Sequence, residues 1–288
     1  MDAIILKTLR EYRDIYELLG DDYRARAYNK AIIAHKAGHE VTAGIAKKIA
    51  AIRQHQRLDD LEELRKSPYV SAARELGSIL GVGPETVSEW YRRGITTRTQ
   101  LRAAIREGKL KLNHMQAIGL KYYVQLHRRI PRADITEFEV VFRNHVREIY
   151  PRAHVIAAGS YRRMAEDSGD IDLLIYDETR PDIGSILEKF PPVVVVVAGK
   201  EKTSALYRIN GVIRHVDIIS VRANMAAAAL LYLTGSAEFN EQMRGHAKML
   251  GFRLNQHGLF KDGVVVPMKT ERDIFSKLSM KYITPRYR

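Results

Sequence analysis

A glycine- and arginine-containing turn, followed by two closely spaced aspartates, holds the residues of this chain best suited to chemistry. The turn is Gly159-Ser160-Tyr161-Arg162-Arg163, and Asp170 and Asp172 come shortly after it. Backbone N–H, hydroxyl and guanidinium groups are the groups with which proteins bind phosphate. Branched apolar residues at 155–158 and 171–176 predict a strand on each side of the turn. Together these features indicate a nucleotidyl-transfer centre.

Asp170 and Asp172 are predicted to act as a pair, because residues two apart on a strand project from the same face. Two such charges repel each other unless a divalent cation lies between them. Mg²⁺ suits this arrangement because it takes a few carboxylates and keeps sites open for substrate phosphates. Asp217, inside the apolar run 216–219, predicts a third ligand on a neighbouring strand. Any one of these acids alone reads as a solvated strand-edge charge, but the three together with the turn favour a metal site.

The composition favours a polyanionic partner. The 288 residues include 47 Lys plus Arg against 34 Asp plus Glu, a formal charge of +13. Such an excess suits nucleic acid or an anionic membrane surface. The longest apolar stretch, 225–233, is too short to span a bilayer, so nucleic acid is the expected partner. The chain has no cysteine, which excludes disulfides and a cysteine nucleophile and fits an intracellular protein.

The first part of the chain is predicted to be a compact all-α unit. Apolar residues recur at spacings of three and four over residues 3–20, which predicts an amphipathic helix. Gly20-Asp21-Asp22 ends it and caps the next helix, which is predicted at 23–36. Two further helices are predicted at 42–54 and 58–64. The lysines that form a basic cluster in this unit are Lys30, Lys36, Lys47 and Lys48.

The segment Gly81-Val82-Gly83-Pro84 is typical of a helix-hairpin-helix. Its glycines let backbone amides approach a DNA phosphate, and the N-terminus of the helix that Pro84 begins adds a favourable dipole. Gly81, Val82 and Gly83 are therefore candidate DNA contacts. Any helix-loop-helix could use this sequence, but its place ahead of the acidic strands in a basic chain favours DNA.

A mixed sheet with two backing helices is predicted around the acidic strands, and the overall fold class is α+β. The backing helices are predicted at 136–150 and 183–190. A basic loop at 199–203 is expected to contact the DNA backbone. Residues 224–233 and 237–250 are predicted to form two helices, with only short strands after residue 252. The predicted strands of the mixed sheet are 155–158, 171–176, 193–198, 205–209 and 212–219.

The chain resembles the family X DNA polymerases over most of its length. The resemblance rests on Gly159-Ser160, on the spacing to Asp170 and Asp172, on the later Asp217, and on Tyr232-Leu233-Thr234-Gly235-Ser236. It implies a small helical unit, a helix-hairpin-helix unit, a catalytic palm and a small α/β unit that binds the nascent base pair. The four predicted domains are a lyase-like helical domain at 1–66, a helix-hairpin-helix subdomain at 67–131, the palm at 132–222 and the nascent-base-pair-binding subdomain at 223–288.

The resemblance implies a DNA-directed DNA polymerase that fills short gaps in base excision repair. Asp170, Asp172 and Asp217 would hold two Mg²⁺ ions, for which Mn²⁺ could substitute. The expected substrates are dNTPs and gapped or nicked double-stranded DNA, and the protein is expected to be an intracellular monomer that stays with the DNA and away from membranes. Arg244 is implied as a template contact. The implied nucleotide-binding residues are Gly159, Ser160, Arg163, Gly169, Arg129, Tyr232, Gly235 and Asn240.

The resemblance also implies a 5′-deoxyribose-phosphate lyase in the N-terminal unit. Lys48 falls on the Schiff-base lysine of the family, and Tyr28, Lys30 and Lys47 fall on supporting, DNA-binding positions. A lysine attacks only as the neutral amine, a form that nearby cations such as Lys47, Lys30 and His35 would favour. The alternative is that Lys48 is solvated or contacts a phosphate without chemistry.

Two other classes of function stay open from the sequence. One is a template-independent or RNA-directed nucleotidyltransferase that shares the metal site. The other is a non-catalytic scaffold that binds DNA ends. The helix-hairpin-helix and the lysine-rich N-terminal unit suit gapped DNA, which argues against the first alternative. Three neighbouring acids, whose mutual repulsion costs stability, argue against a non-catalytic scaffold.

Overall fold

The computed structural model describes all 288 residues and consists of two compact units, residues 1–123 and 124–288. The first unit is helical, and the second is built on a mixed sheet with helices, so the α+β class is confirmed. The finer division into four domains stays a prediction. No helix combines the length and the apolar character that crossing a membrane requires.

The first unit contains the four N-terminal helices that the sequence predicts, each within two residues of its expected ends. Asp21 caps the second helix, because its side chain accepts a hydrogen bond from the backbone N–H of Arg24. The first helix buries Ile5, Leu9, Tyr12 and Ile15. The helices of this unit are α1 Asp2–Leu18, α2 Asp22–Lys36, α3 Ala43–His55, α4 Asp59–Lys66, α5 Pro68–Gly77, α6 Pro84–Arg92, α7 Arg98–Arg106 and α8 His114–Lys121.

The helix-hairpin-helix predicted around Gly81 to Pro84 has the expected backbone. Gly83 is the N-cap of α6 and Pro84 its first residue. Gly81 has φ +84° and lies against α8, where an added Cβ would be 2.9 Å from the Cβ of Met115. Glycine at this position therefore serves both the turn and a close packing contact.

The second unit is organised by a five-stranded sheet made of β2 (His154–Ala157), β4 (Ile171–Asp177), β5 (Val194–Val197), β6 (Lys202–Ile209) and β7 (Val212–Arg222). The strand order is β2-β4-β7-β6-β5, and β4 and β7 are the only parallel pair. A buried apolar cluster joins this sheet to α10 and α12, as the predicted backing helices require. The elements are α9 Tyr123–Leu126, β1 Ile130–Pro131, α10 Arg132–Ile149, β2 His154–Ala157, α11 Gly159–Arg162, β3 Asp167–Ser168, β4 Ile171–Asp177, α12 Ile183–Lys189, β5 Val194–Val197, β6 Lys202–Ile209 and β7 Val212–Arg222.

The C-terminal part adds two helices, a three-stranded sheet and a further helix, α15, that the sequence analysis did not predict. The expectation of only short strands after residue 252 is therefore wrong. The Thr270 side chain accepts from the N–H of Asp273, whose carboxylate accepts from the N–H of Thr270, and this capping box starts the helix. The elements are α13 Ala226–Thr234, α14 Ala237–Met249, β8 Phe252–Asn255, β9 Gly258–Lys261, β10 Val264–Val266 and α15 Glu271–Lys277.

Replacing Gly119 on α8 with alanine should destabilise the first unit, because a Cβ there would lie 2.3 Å from the carbonyl oxygen of Leu80 and 2.8 Å from its nitrogen. Overpacking against backbone costs about 1–3 kcal/mol or more. Denaturant unfolding would measure the loss. Gly44→Ala on α3 is the matched control, since its Cβ would meet nothing within 4 Å. Equal stability of the two variants would contradict the steric argument.

Candidate active site

The parallel pairing of β4 with β7 brings the predicted acids together. Asp172 and Asp217 are partners in the register of these strands, and Asp170 comes directly before β4. All three line one cavity of about 380 Å³. Most of the predicted nucleotide and template contacts line the same cavity: Gly159, Ser160, Arg163, Tyr232, Gly235, Asn240 and Arg244.

Glycine is required at the start of the phosphate-binding turn. Gly159 has φ +52°, and a Cβ on it would lie 2.0 Å from Oδ2 of Asp172. The preceding backbone N–H, that of Ala158, donates to the carbonyl oxygen of Asp172 over 2.8 Å. The backbone of the turn therefore passes directly over the acidic strand, and a carboxylate lies where any larger residue would place its side chain.

The pKa values of two of the acids are shifted in opposite directions. Burial, with repulsion from Asp170 and Asp217, raises the pKa of Asp172 to about 7. Burial also acts to raise the pKa of Asp217, but hydrogen bonds from Lys202 and Ser204 outweigh it and hold that pKa below its usual value. Nζ of Lys202 lies 2.8 Å from Oδ2 of Asp217. The cavity therefore brings three carboxylates together with three cationic side chains, those of Arg163, Lys202 and Arg244.

Lys202 is a residue of the site that the sequence analysis missed, because it assigned the whole loop 199–203 to the DNA backbone. In the structure Lys202 begins β6, and Ser204 is the register partner of Asp217. The alternation of Lys202 and Ser204 on one strand face is visible in the sequence, but only the register shows which acid they meet. Lys200 instead lines a separate cleft of about 800 Å³.

The types of ligand atom suit divalent cations, because three carboxylates open into one cavity. No three acidic or histidine side chains converge on a single point in this arrangement, however. The ammonium of Lys202 is the positive charge that Asp217 contacts. The acids thus provide oxygen ligands whose repulsion a bound cation would relieve.

The two arginines of the turn point to different partners. Arg163 lines the cavity, and its Nη1 donates to the carbonyl oxygen of Thr234 over 2.5 Å. Burial lowers the pKa of Arg163, and the charges of Asp172 and Asp170 oppose that effect. Arg162 instead donates to the Thr234 hydroxyl and to both carboxylate oxygens of Glu271. One arginine therefore faces the acids while its neighbour anchors the turn.

Glu271 is the centre of a buried ion network that the sequence did not reveal. Its side chain is 6% exposed, and it lies 2.6 Å from Nη2 of Arg162 and 2.6 Å from Nη1 of Arg288. Burial opposes its charge, but these arginines hold the pKa of Glu271 below its usual value. The three residues lie far apart in the chain, so no local pattern could have connected them.

Two predicted nucleotide contacts, Arg129 and Gly169, do not line the cavity. Arg129 donates to the Asp167 carboxylate over 2.8 and 3.0 Å. Its Nη1 lies 3.3 Å from the place that a Cβ on Gly169 would occupy, so the two residues are neighbours. Their role in nucleotide binding stays a prediction.

Helices α13 and α14 supply the wall of the cavity opposite the acids. Tyr232 and Asn240 are tied together, because Nδ2 of Asn240 donates to the carbonyl oxygen of Tyr232 over 2.7 Å. Nε of Arg244 donates to the carbonyl oxygen of Asn240, one turn earlier on α14, over 3.1 Å. Gly235, between the helices, has φ +63° and is followed by a cis peptide bond. The predicted alignment of Asn240 and Arg244 on one helix face agrees with this geometry.

The surroundings of Lys48 differ from those that the sequence suggested. Lys48 forms an ion pair with Asp60 and donates to the hydroxyl of Tyr12 over 3.2 Å. His35, expected to add positive charge near Lys48, pairs with Asp2 instead, over 3.4 Å. The direct contacts of Lys48 are thus an acid and a tyrosine rather than cations.

The other predicted residues of this unit are dispersed. Lys30 lines a cavity of about 540 Å³ together with Tyr23 and Arg26. Tyr28 is buried, and its ring stacks on that of Tyr12 with centroids 4.6 Å apart. Lys47 is exposed. Of these residues, Tyr28 is linked to Lys48 through Tyr12, which contacts both.

Comparison with known proteins agrees with this architecture part by part. Sequence models of the DNA polymerase beta palm and of the DNA polymerase beta thumb match residues 129–203 and 229–288. A model of the fingers domain of DNA polymerase lambda matches residues 74–127. The palm match contains the turn and the first two acids of the cavity, and the thumb match contains Tyr232 to Ser236.

Two curated relatives extend the likeness along nearly the whole chain. DNA polymerase lambda of Rattus norvegicus is 30% identical over 328 aligned residues, which cover 99% of this chain and 56% of the relative. DNA polymerase lambda of Arabidopsis thaliana is 26% identical over 326, which cover 96% of this chain and 60% of the relative. The chain thus spans little more than half the length of these relatives. A palm and a thumb of this kind define the nucleotidyltransferase core of a polymerase. The chain belongs to the family X DNA polymerases.

Replacing Glu271 with glutamine should lower stability at neutral pH by about 3–5 kcal/mol, because it leaves the buried guanidinium of Arg288 and the partly buried one of Arg162 without their carboxylate. The folded-state pKa of Glu271 lies below its usual 4.5, so its contribution is complete above that pH and is lost as the pH falls through the folded-state value. Thermal unfolding should therefore show the difference from wild type shrinking in acid. The exposed Glu188→Gln is the control, and a pH-independent difference would contradict the ionic role.

Proposed function

We propose that this protein is a DNA-directed DNA polymerase that fills short gaps in duplex DNA during base excision repair. The observation that carries the proposal is the single cavity in which Asp172 and Asp217 face each other beneath the Gly159 turn and beside Arg163. The matches to polymerase palm, thumb and fingers support the same activity. Its substrates are then dNTPs and gapped or nicked duplex DNA. It acts as a monomer, in the intracellular compartment that holds the DNA.

Asp170, Asp172 and Asp217 are the residues that would hold the divalent cations, and Mg²⁺ is the ion that best suits carboxylate and phosphate oxygens. When bound, the ions supply activation of the primer 3′-hydroxyl and neutralisation of charge on the triphosphate. Before substrate binds, Lys202 keeps Asp217 ionised. The chain thereby keeps one ligand in its charged form, while burial, with repulsion from Asp170 and Asp217, gives Asp172 a near-neutral pKa.

The phosphate-binding turn would position the triphosphate. Arg163 is half-buried and held by the carbonyl oxygen of Thr234, so its guanidinium is fixed before the nucleotide arrives. The Ser160 hydroxyl, which donates to Ser168 over 2.7 Å, and the N–H of Gly159 lie beside it on α11. Fixed donors of this kind stabilise developing charge without reorganisation. The protein's own contribution is placement and charge, as phosphoryl-type transfer requires.

The opposite wall would hold the sugar and base. Tyr232 lines the cavity, and Asn240 is oriented by its hydrogen bond to the Tyr232 carbonyl oxygen. Asn240 would then read the minor-groove edge of the incoming base, and Arg244 would contact the template strand. Template-directed addition is favoured over template-independent addition because the helix-hairpin-helix and the lysine-rich N-terminal unit suit gapped duplex DNA.

Replacing Asp172 or Asp217 with alanine should abolish primer extension, by roughly three orders of magnitude or more, because each change removes a ligand from the charge-stabilising centre. Binding to gapped DNA should be nearly unchanged. Rates of single-nucleotide insertion and fluorescence anisotropy would measure the two properties. Asp177→Ala, at the far end of the same strand β4, is the matched control and should extend primers normally. Extension by either active-site variant would disprove the assignment.

Insertion at a one-nucleotide gap should follow the templating base. Each dNTP would be supplied singly with Mg²⁺, once with a gapped duplex and once with a single-stranded primer. The templated nucleotide should be added far faster than the other three, and the primer without template should not be extended. Indiscriminate addition would favour a template-independent transferase, and extension only on an RNA template would favour the RNA-directed alternative.

A further inference from the structure

The carboxylate of Asp217 is occupied by protein groups at both of its oxygens. Nζ of Lys202 lies 2.8 Å from Oδ2, and the hydroxyl of Ser204 donates to Oδ1. Nε2 of His215 lies 3.8 Å from Oδ1, which is too far for a hydrogen bond. The side chain of Asp217 is only 17% exposed, so solvent has little access to it. Oδ2 of a proposed metal ligand is therefore already paired with a cationic side chain of the protein.

Lys202 is the partner of Asp217 that can leave. Its side chain is 56% exposed, and a flexible four-carbon stem carries the ammonium, which can turn away while the backbone stays in place. Ser204 is buried and is the register partner of Asp217, so it stays close to the carboxylate. A hydroxyl and a cation can share a carboxylate, whereas two cations at one oxygen repel each other. Asp217 is therefore free to ligate a cation with Oδ2 only after Lys202 has moved.

The strand order places Lys202 on the side of the acids away from the phosphate-binding turn. That turn follows β2, the acids lie on or next to β4 and β7, and Lys202 begins β6, the next strand of the sheet. In phosphoryl-type transfer the attacking and leaving oxygens are roughly in line, so the primer hydroxyl enters opposite the leaving phosphates. With the triphosphate at the turn, the primer strand approaches from β6. Its backbone phosphates are then the substrate anions on the side of Lys202.

We propose that Lys202 couples DNA binding to metal binding by exchanging Asp217 for a phosphate of the primer strand. Without DNA, the ammonium holds Oδ2 of Asp217 and opposes ligation of a divalent cation. With DNA, the phosphate draws the ammonium away and leaves Asp217 free to complete the metal site. The inference rests on the proposed function, because the exchange needs a DNA strand whose 3′ end lies in the cavity. Lys202 is thus a positioning residue that acts through Asp217.

Linkage makes this exchange measurable in two directions. If DNA frees Asp217 for the cation, DNA and the cation strengthen each other's binding by the same factor. Such couplings between sites are typically about 5- to 150-fold. Removing the ammonium of Lys202 should raise the metal affinity of the free protein and reduce the coupling, because Asp217 is then free from the start. A lysine that only supported the fold would not produce both changes together.

The first test measures Mn²⁺ binding to the full chain without DNA, through the electron paramagnetic resonance signal of free Mn²⁺. Lys202→Met, which has a long side chain without the charge, should bind Mn²⁺ at least about fivefold more tightly than wild type. Lys202→Arg, which keeps a cation within reach of Asp217, should bind Mn²⁺ as wild type does. Lys200→Met is the matched control and should also bind as wild type, since it removes the same charge from a separate cleft.

The second test measures the coupling, by fluorescence anisotropy on gapped DNA with and without Mn²⁺ at one ionic strength. No dNTP is present, so no primer is extended. The factor by which Mn²⁺ tightens DNA binding should fall in Lys202→Met by about as much as the metal affinity of the free protein rises. In Lys200→Met this factor should equal that of wild type, whatever the change in DNA affinity itself.

An unchanged or weaker Mn²⁺ affinity of Lys202→Met would overturn the proposal, as would an equal gain in Lys200→Met or an undiminished coupling in Lys202→Met. Lys202→Gln is a second uncharged variant with the same expected results, and thermal unfolding verifies that each variant is folded. Insertion assays on the same preparations separate this proposal from the polymerase assignment. Absence of insertion by wild type would count against the polymerase, while the Mn²⁺ affinities without DNA would still decide the role of Lys202.

Discussion

The central constraint in the second unit is that one parallel strand pair brings carboxylates together that repel one another. β4 and β7 place Asp172 directly opposite Asp217, and the antiparallel pairing of β6 with β7 then brings Lys202 and Ser204 to the same point. Without these partners the charge would oppose folding of the sheet. Burial, together with the repulsion that remains, raises the pKa of Asp172, and a bound divalent cation would relieve that repulsion.

The phosphate-binding turn needs support from outside the sheet, because α11 is only four residues long. That support comes from the C-terminal part through Glu271, which binds Arg162 and Arg288, and through Thr234, which binds both arginines of the turn. The residues that would contact the nucleotide are thus held in place by a buried network whose own members would not contact the nucleotide. Positioning of Arg163 and stability of the C-terminal part are consequently linked.

The two units pair opposite charges in different settings. In the cavity, acids crowd together, and a neighbouring lysine keeps one of them ionised. In the N-terminal unit, a single acid, Asp60, pairs with Lys48. Residue type suggests what chemistry is available in each case, while the contacts that the fold imposes determine how each charged group is engaged.

The sequence by itself determined the four N-terminal helices, the five strands of the central sheet, the acidic pair, the turn and the family, because each depends on local spacing: Asp170 and Asp172 two apart, Gly159 before them, apolar residues at helical intervals. Even α15 could have been found, since Thr270 and Asp273 form a local cap. Only the tertiary structure decided that Lys202 meets Asp217, that Glu271 holds Arg162, and that Lys48 faces Asp60. These contacts join residues on different strands or helices, and strand register and helix packing, which no local pattern encodes, determine them.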